Sequence, residues 1–380
     1  MKEFNFIFKG NIFFGVGSRN NIKELLIENN YKSICIVIDH ALSDIQIFKE
    51  FIGSLDCKKI LIKCDISEPT YEKLEEKRKL LINHEINSFI GIGGGSALDM
   101  AKGLSVLYSN KGPAIAYRGF DRFPNPILPI IAIPTTAGTG SEITPNASFI
   151  DTNEKRKMGI NGEMIRPSYA ILDPELTISC PRLPTISAGV DSMVHAIEAF
   201  VAKKSNPIAR LFAFEGFNCV FKNLPLLVDD LFDIKLREKI MYGAFLSAIA
   251  LMNSGTGPAA AMSYPLGVHF GVPHGIGGGI FLPHVIQYNI TNGFYDYAQL
   301  LHPTKDIKSE ESGAKLFIKR IWDTWQILEV PQNLSDFGMG SKDLELFVSD
   351  TMDLKAALDQ NPLPFYEDEL VSTLRQLKIG

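Results

Sequence analysis

Asp191 and His195 stand four residues apart in an apolar stretch, and His274 lies far downstream in Pro273-His274-Gly275. On a helix, that spacing puts the first two side chains on one face, a turn apart. A carboxylate and imidazoles converging on one point suit a divalent cation such as zinc or ferrous iron. Three protein groups around such an ion leave one position open to a substrate. The same residues also fit a plainer reading: an aspartate in the first turn of a helix and two satisfied core histidines. The spacing alone leaves both readings open.

Two loops offer a different chemistry. Gly91-Ile-Gly-Gly-Gly-Ser-Ala-Leu-Asp99 follows an apolar run and opens a helical pattern. Glycines there let backbone approach a ligand closely, and the amides at the helix start favour a phosphate, with Ser96 able to add a hydroxyl. The glycines are consecutive, unlike the spaced dinucleotide fingerprint, so a tight turn with no ligand stays open. Pro134-Thr-Thr-Ala-Gly-Thr-Gly-Ser-Glu142 follows another apolar run and carries hydroxyls beside flexible glycines. A polar loop at a strand's carboxyl end is a natural ligand contact. Asp39 ends an earlier run. An acid there can hold the ribose hydroxyls of an adenine nucleotide and repel a 2′-phosphate, or it can be a simple turn residue.

The elements that position these residues are legible as patterns. Segments 33–38, 59–63, 88–92, 130–133 and 169–172 read as buried strands, with a charged helical pattern from Ser67 to Asn83. Strands alternating with helices predict a parallel sheet covered on both faces, which binds ligands beyond its carboxyl ends. The character changes at Pro181-Arg-Leu-Pro184. Beyond it, 187–203, 205–224, 234–253, 310–328 and 341–358 read as helices, and 254–279 is rich in small residues. The pattern predicts an α/β domain over 1–181 and an all-α domain over 182–380.

A chain of 380 residues favours two domains. A net charge of −5 argues against nucleic acid as a partner. The first residues lack the apolar core of a signal peptide, and the apolar run 126–134 is too short to span a bilayer. Cys35, Cys57, Cys64, Cys180 and Cys219 form no Cys-x2-Cys pair, which suits reduced thiols in the cytoplasm.

Together and in this order, the motifs resemble the iron-containing alcohol dehydrogenase family, over nearly the whole chain and most securely over 8–290. The matching pieces are Gly15-Val-Gly-Ser18, the two loops, Leu172-Asp-Pro-Glu-Leu176, Asp191-Ser-Met-Val-His195-Ala-Ile-Glu198 and Pro273-His-Gly275. The resemblance implies the iron-dependent alcohol dehydrogenase or dehydroquinate synthase-like fold, in which the domain over 1–181 binds a dinucleotide and the domain over 182–380 binds metal and substrate. It implies that Asp39, Gly94, Gly95, Ser96 and Asp99 line NAD, in preference to NADP, with Thr135, Thr136, Thr139 and Lys157 along it. It implies Fe2+ or Zn2+ on Asp191, His195 and His274, a small alcohol or sugar substrate, and a homo-oligomer such as a dimer. Asn146 resembles a polar position near the nicotinamide, which makes it a catalytic candidate.

The chain departs from that family at two places. A metal histidine is usual fourteen residues before His274, where Ala260 stands, and another active-site histidine ten residues before, where Tyr264 stands. Tyr264 is a candidate for substrate contact or proton relay, with packing as the plain alternative. Three readings follow: three protein ligands suffice, His269 or Glu142 substitutes, or the site holds no metal. The stretch 258–275 is similar to the 3-deoxy-manno-octulosonate 8-oxidising enzymes of lipopolysaccharide synthesis, which implies a primary hydroxyl on an acidic eight-carbon sugar. Arg118 and Arg122 could meet a carboxylate or stay solvated, while His284 and Glu198 read as structural supports. A lyase-like enzyme on the dehydroquinate synthase fold and a non-catalytic nucleotide-binding protein are the competing functions.

Overall fold

In the computed structural model, residues 3–65, 68–302 and 307–377 are described. They fall into two units, one over Lys9–Cys180 and one over Pro181–Gly380 joined by the described residues of Met1–Phe8.

The first unit is built on continuous apolar runs. β1 (Asn11–Phe14), β2 (Ser33–Asp39), β3 (Lys58–Cys64), β4 (Ser88–Gly93), β6 (Ile130–Pro134) and β9 (Tyr169–Leu172) form a parallel sheet in the order β1-β9-β6-β4-β2-β3. β4 and β6 are buried along their whole length, as central parallel strands must be. The chain moves outward from β2 to β3, then returns to the other side of β2 as β4. The strand order therefore reverses between β2 and β4, the point where such sheets form a ligand crevice. Helices α1 (Ile22–Glu28), α2 (Gln46–Gly53), α3 (Tyr71–Arg78) and α4 (Gly95–Ser109) belong to this unit. Ser67, where the sequence pattern places the start of α3, lies outside the described residues.

A second sheet joins β5 (Gly119–Phe120), β8 (Arg156–Asn161) and β7 (Asn146–Asp151) in the order β5-β8-β7. Sequence reasoning missed these strands and β1. β7 was readable: Ala147, Phe149 and Asp151 alternate inward along it.

The second unit is helical: α5 (Arg182–Val201), α6 (Pro207–Asp229), α7 (Ile234–Met252), α8 (Pro258–Phe270), α9 (His274–Thr291), α10 (Glu310–Ile327), α11 (Leu344–Met352), α12 (Lys355–Leu358) and α13 (Glu367–Gln376). α5 is buried on nearly every face from Thr185 to Val201 and packs against α6, α7 and α9, so it forms the axis of the unit. The single helical pattern at 341–358 is two helices with a break at Asp353–Leu354. α8 and α9 occupy the small-residue stretch and its continuation, which the sequence reading did not assign as helices. Pro265, Pro283 and the run Gly277–Gly279 lower helix propensity there, and burial overrides it. α6 has the length and mean hydropathy of a membrane span, yet it packs against α5 and α7 and carries Pro225. All five cysteines are free.

Candidate metal centre and nucleotide loops

In the helical unit, glycine decides how closely helices approach. Gly275, the second residue of α9, faces α5. A Cβ there would collide with the Ser187 carbonyl oxygen and sit 2.8 Å from Asp191 Cβ. Gly278 and Gly279 likewise admit Val194 and Val190 of α5. On the other side of α9, a Cβ at Gly277 would lie 3.0 Å from Ser263 Cβ on α8. The first turns of α9 thus pack against α5 and α8 with almost no side chain between them, and His274 at the helix start is held against both.

Asp191, His195 and His274 each offer a ligand atom, and these atoms lie within 4.8 Å of one another. Asp191 Oδ1 is 3.6 Å from His195 Nε2 and 3.8 Å from His274 Nε2. Two ligands each about 2.1 Å from one tetrahedral ion are roughly 3.4 Å apart, so the spacing is close to that of a loaded site. Asp191 and His195 are buried, and His274 is partly exposed. His195 Nδ1 is buried without a hydrogen-bond partner among the described residues. The ring is therefore not a fully satisfied core histidine, and the nitrogen it turns toward Asp191 is the other one, Nε2. The donor set of one carboxylate oxygen and two imidazoles suits zinc or ferrous iron.

Around this triad, Tyr264 sets its ring edge-on to His274 at 5.1 Å between centroids. Ala260 is a buried methyl on α8, and its carbonyl oxygen accepts from Ser263 Oγ at 2.6 Å. His269 Nε2 lies 2.7 Å from Asp350 Oδ2, which commits that ring to a partner on α11. Glu198 accepts from the Gly257 and Ala259 amides and the Thr256 hydroxyl, so it caps the start of α8 as a structural support. Burial raises its pKa, opposed by those three bonds. His284 sits against the Trp322 ring.

In the sheet unit, the glycine and threonine loops touch. Gly93 has a φ of +150°, and a Cβ there would meet Ala97 Cβ at 2.7 Å and Asp39 Cβ at 3.1 Å. Asp39 at the end of β2 therefore adjoins the glycine turn at the reversal point. Asp39 Oδ1 accepts from the Ala41 amide, and desolvation raises its pKa. Gly94 precedes α4 and gives its first amides no side-chain cap, and Ser96 is half-buried beside it. Gly94 lies against Thr136 and Gly95 against Thr139, while the buried Thr135 donates its amide to the Gly93 carbonyl.

Sequence reasoning missed the residue beneath this loop. Lys102 on α4 is fully buried, and its ammonium donates to Ser141 Oγ (2.9 Å), Thr144 O (3.1 Å) and Asn146 O (2.7 Å). Desolvation lowers its pKa to about 8, with Asp99 and Glu142 opposing. Asp99 accepts from Ser141 Oγ with one oxygen and from the Ser148 amide with the other, so it ties the threonine loop to β7. Glu142 is buried, and desolvation pushes its carboxyl up to about 7. The clue in the sequence was a lysine three residues after Asp99 in an otherwise apolar helix. Asn146 is exposed, its amide donating to Asn161 Oδ1. Lys157 pairs with Glu68 at 2.7 Å. Arg118 is committed to Asp151 and Glu154, and Arg122 is exposed.

The chain thus combines a parallel sheet that has a glycine turn at its reversal point with a helical unit that carries an Asp-His-His cluster. Residues 10–174 match the model of iron-containing alcohol dehydrogenases, and residues 185–378 match that of the C-terminal part of the Fe-containing alcohol dehydrogenase family. The chain belongs to the iron-containing alcohol dehydrogenase family. It is 32% identical to the NAD-dependent methanol dehydrogenase of Bacillus methanolicus over 75% of this chain and 76% of that protein. It is 30% identical to alcohol dehydrogenase 4 of Schizosaccharomyces pombe, over 94% of this chain and 85% of that protein. A crystal structure of 1,3-propanediol oxidoreductase superposes with a TM-score of 0.93 at 26% identity, covering 99% of this chain and 100% of that one.

Proposed function

We propose that this chain oxidises a primary alcohol with NAD as the acceptor, activated by a divalent cation on Asp191, His195 and His274. The observation that carries the reading is the convergence of those three side chains, with Asp191 Oδ1 3.6 Å and 3.8 Å from the two Nε2 atoms. When bound, the cation supplies a Lewis acid for a substrate oxygen, and NAD supplies the hydride acceptor.

The chain's own residues then have distinct tasks. Asp191 brings the negative charge that a divalent ion requires, while the two imidazoles add neutral donors. Tyr264 walls one side of His274, and its phenol is the group proposed to contact a substrate hydroxyl. Its usual pKa of about 10 suits a relay or a contact better than an unassisted base. Asp39 takes the ribose hydroxyls and disfavours a 2′-phosphate, hence NAD over NADP. Gly94, Gly95 and Ser96 offer close backbone, amides and a hydroxyl to the phosphates, with Thr135, Thr136 and Thr139 alongside. Asp99 and Lys102 hold the threonine loop. Lys157 completes the proposed nucleotide surface, and Asn146 is the proposed catalytic polar group near the nicotinamide. The substrate class we favour is an acidic sugar alcohol such as 3-deoxy-manno-octulosonate, supported by the motif 258–275. A homodimer is the assembly we propose.

The test uses metal-free protein reloaded with zinc or ferrous iron, NAD, and a panel running from short primary alcohols to 3-deoxy-manno-octulosonate. The expected result is metal-dependent NADH absorbance, lost in His195→Ala. No NADH with either metal on any substrate overturns the proposal. Substrate turnover without net NADH favours the lyase-like alternative instead.

A further inference from the structure

Ser263 Oγ has two partners, and they cannot both be served in the same way. It lies 2.6 Å from the Ala260 carbonyl oxygen and 2.6 Å from His274 Nδ1. A hydroxyl carries one proton. A carbonyl oxygen has none to give, so the short contact to Ala260 is favourable only if Ser263 donates there. That leaves Ser263 Oγ as an acceptor toward the ring. Nδ1 of His274 must then carry the ring proton, and Nε2 keeps its lone pair on the side facing Asp191.

We infer that Ser263 is a positioning residue that fixes His274 in its Nδ1–H tautomer and so presents Nε2 as a metal donor; the inference rests on the metal reading above. Several observations bear on it independently. Ser263 is buried, so no solvent competes for its hydroxyl. Gly277 permits the approach of α8 to α9, with its would-be Cβ 3.0 Å from Ser263 Cβ. The anchoring carbonyl belongs to Ala260, where the family resemblance implies a histidine. Outer partners of metal histidines orient the ring and set its tautomer, and their loss typically costs about tenfold to a hundredfold in metal affinity.

The experiment compares wild type, Ser263→Ala and a matched control, Ser247→Ala. Ser247 is another buried serine that donates to its own helix, α7, at Gly243 O, and among the described residues it has no hydrogen bond to a histidine. Metal-free proteins are titrated with Co2+ against a chromophoric chelator, and the visible cobalt spectrum is recorded. Ser263→Ala should weaken Co2+ binding by about tenfold or more and alter the cobalt bands, while Ser247→Ala leaves both unchanged. Cobalt affinity of Ser263→Ala within twofold of wild type overturns the inference. A second readout needs no metal: long-range proton–nitrogen correlations on protein with isotope-labelled histidine, with His274 assigned through His274→Gln. The Nδ1–H tautomer is expected in wild type and a mixture in Ser263→Ala. An Nε2–H tautomer in wild type overturns the inference. If wild type takes up no Co2+, the metal reading fails, and the tautomer spectrum still decides the role of Ser263.

Discussion

Gly275→Ala sets two effects of opposite sign against each other. In a helix, replacing glycine by alanine gains about 1 kcal/mol from backbone propensity. At Gly275 the added methyl would meet the Ser187 carbonyl oxygen and sit 2.8 Å from Asp191 Cβ. Non-bonded carbons rest roughly 3.5–4.0 Å apart, so the overlap with Asp191 is on the order of 1 Å. Neither neighbour can swing away, because one is backbone and the other is the first side-chain carbon of a buried residue. α9 and α5 must separate instead, and overpacking of this kind costs about 1–3 kcal/mol, with a backbone collision at the upper end. The net expectation is a loss of about 2 kcal/mol. In a unit the size of Pro181–Gly380 that lowers Tm by roughly 4–8 °C. The same separation pulls His274 from Asp191, so cobalt affinity should fall as well. Gly53→Ala in α2 is the control, since a Cβ there meets nothing within 4 Å, and it should be neutral or mildly stabilising. Calorimetry and chelator competition read both effects. A Gly275→Ala protein as stable as wild type, with unchanged cobalt uptake, would refute the argument that glycine sets the geometry of the triad.

Other substitutions test neighbouring parts of the account. Asp191→Asn removes the only charge of the triad and should weaken Co2+ by more than the roughly hundredfold upper range for an outer partner, as measured by the same competition. His269→Ala should leave cobalt affinity within twofold of wild type, because that ring serves Asp350; a large drop would make His269 a ligand. Lys102→Met leaves Asp99 and two loop carbonyls without their ammonium and should cost about 3–5 kcal/mol in urea unfolding, with weaker NAD binding in titration. Glu142 gives a pH signature. Its carboxyl is raised from 4.5 to about 7, so between those values the folded state holds a proton that the unfolded state has released. Stability from this group is present below pH 4.5 and is lost as pH rises through about 7, by up to roughly 3 kcal/mol. Glu142→Gln should flatten that fall in unfolding curves taken across the window; an unchanged slope counts against it.

The five apolar runs that became parallel strands were legible because central strands of such a sheet are buried on both faces and need no alternation. The helices α5, α6, α7 and α10 were legible from length and apolar content. α8 and α9 were not, because their glycines and prolines serve packing that only the folded partners reveal. That blindness hid Ser263, whose role depends on α8 and α9 lying side by side. The triad itself could be proposed from spacing and resemblance, and the distances among its three side chains are what the sequence could not supply. At the nucleotide loops, the glycine and threonine motifs were visible, yet their mutual contact through Gly94, Gly95, Thr136 and Thr139 was not. Lys102 escaped notice because a lysine in a helix is normally a solvated residue, and only burial shows otherwise.

The early residues of the chain carry a consequence for synthesis. The Ile7 amide donates to Asn253 Oδ1 at 2.6 Å, its carbonyl accepts from Asn253 Nδ2 at 3.0 Å, and Phe6 stacks on Phe212. The two polar partners are 246 residues apart. At about 5–20 residues per second, a ribosome takes roughly 12–50 s to make that stretch. Ile7 must wait out the whole of that interval before Asn253 exists, while the sheet segment that follows it can already begin to pair. The contact that seats Ile7 thus forms only after Asn253 has been made, however early the sheet segment between them pairs.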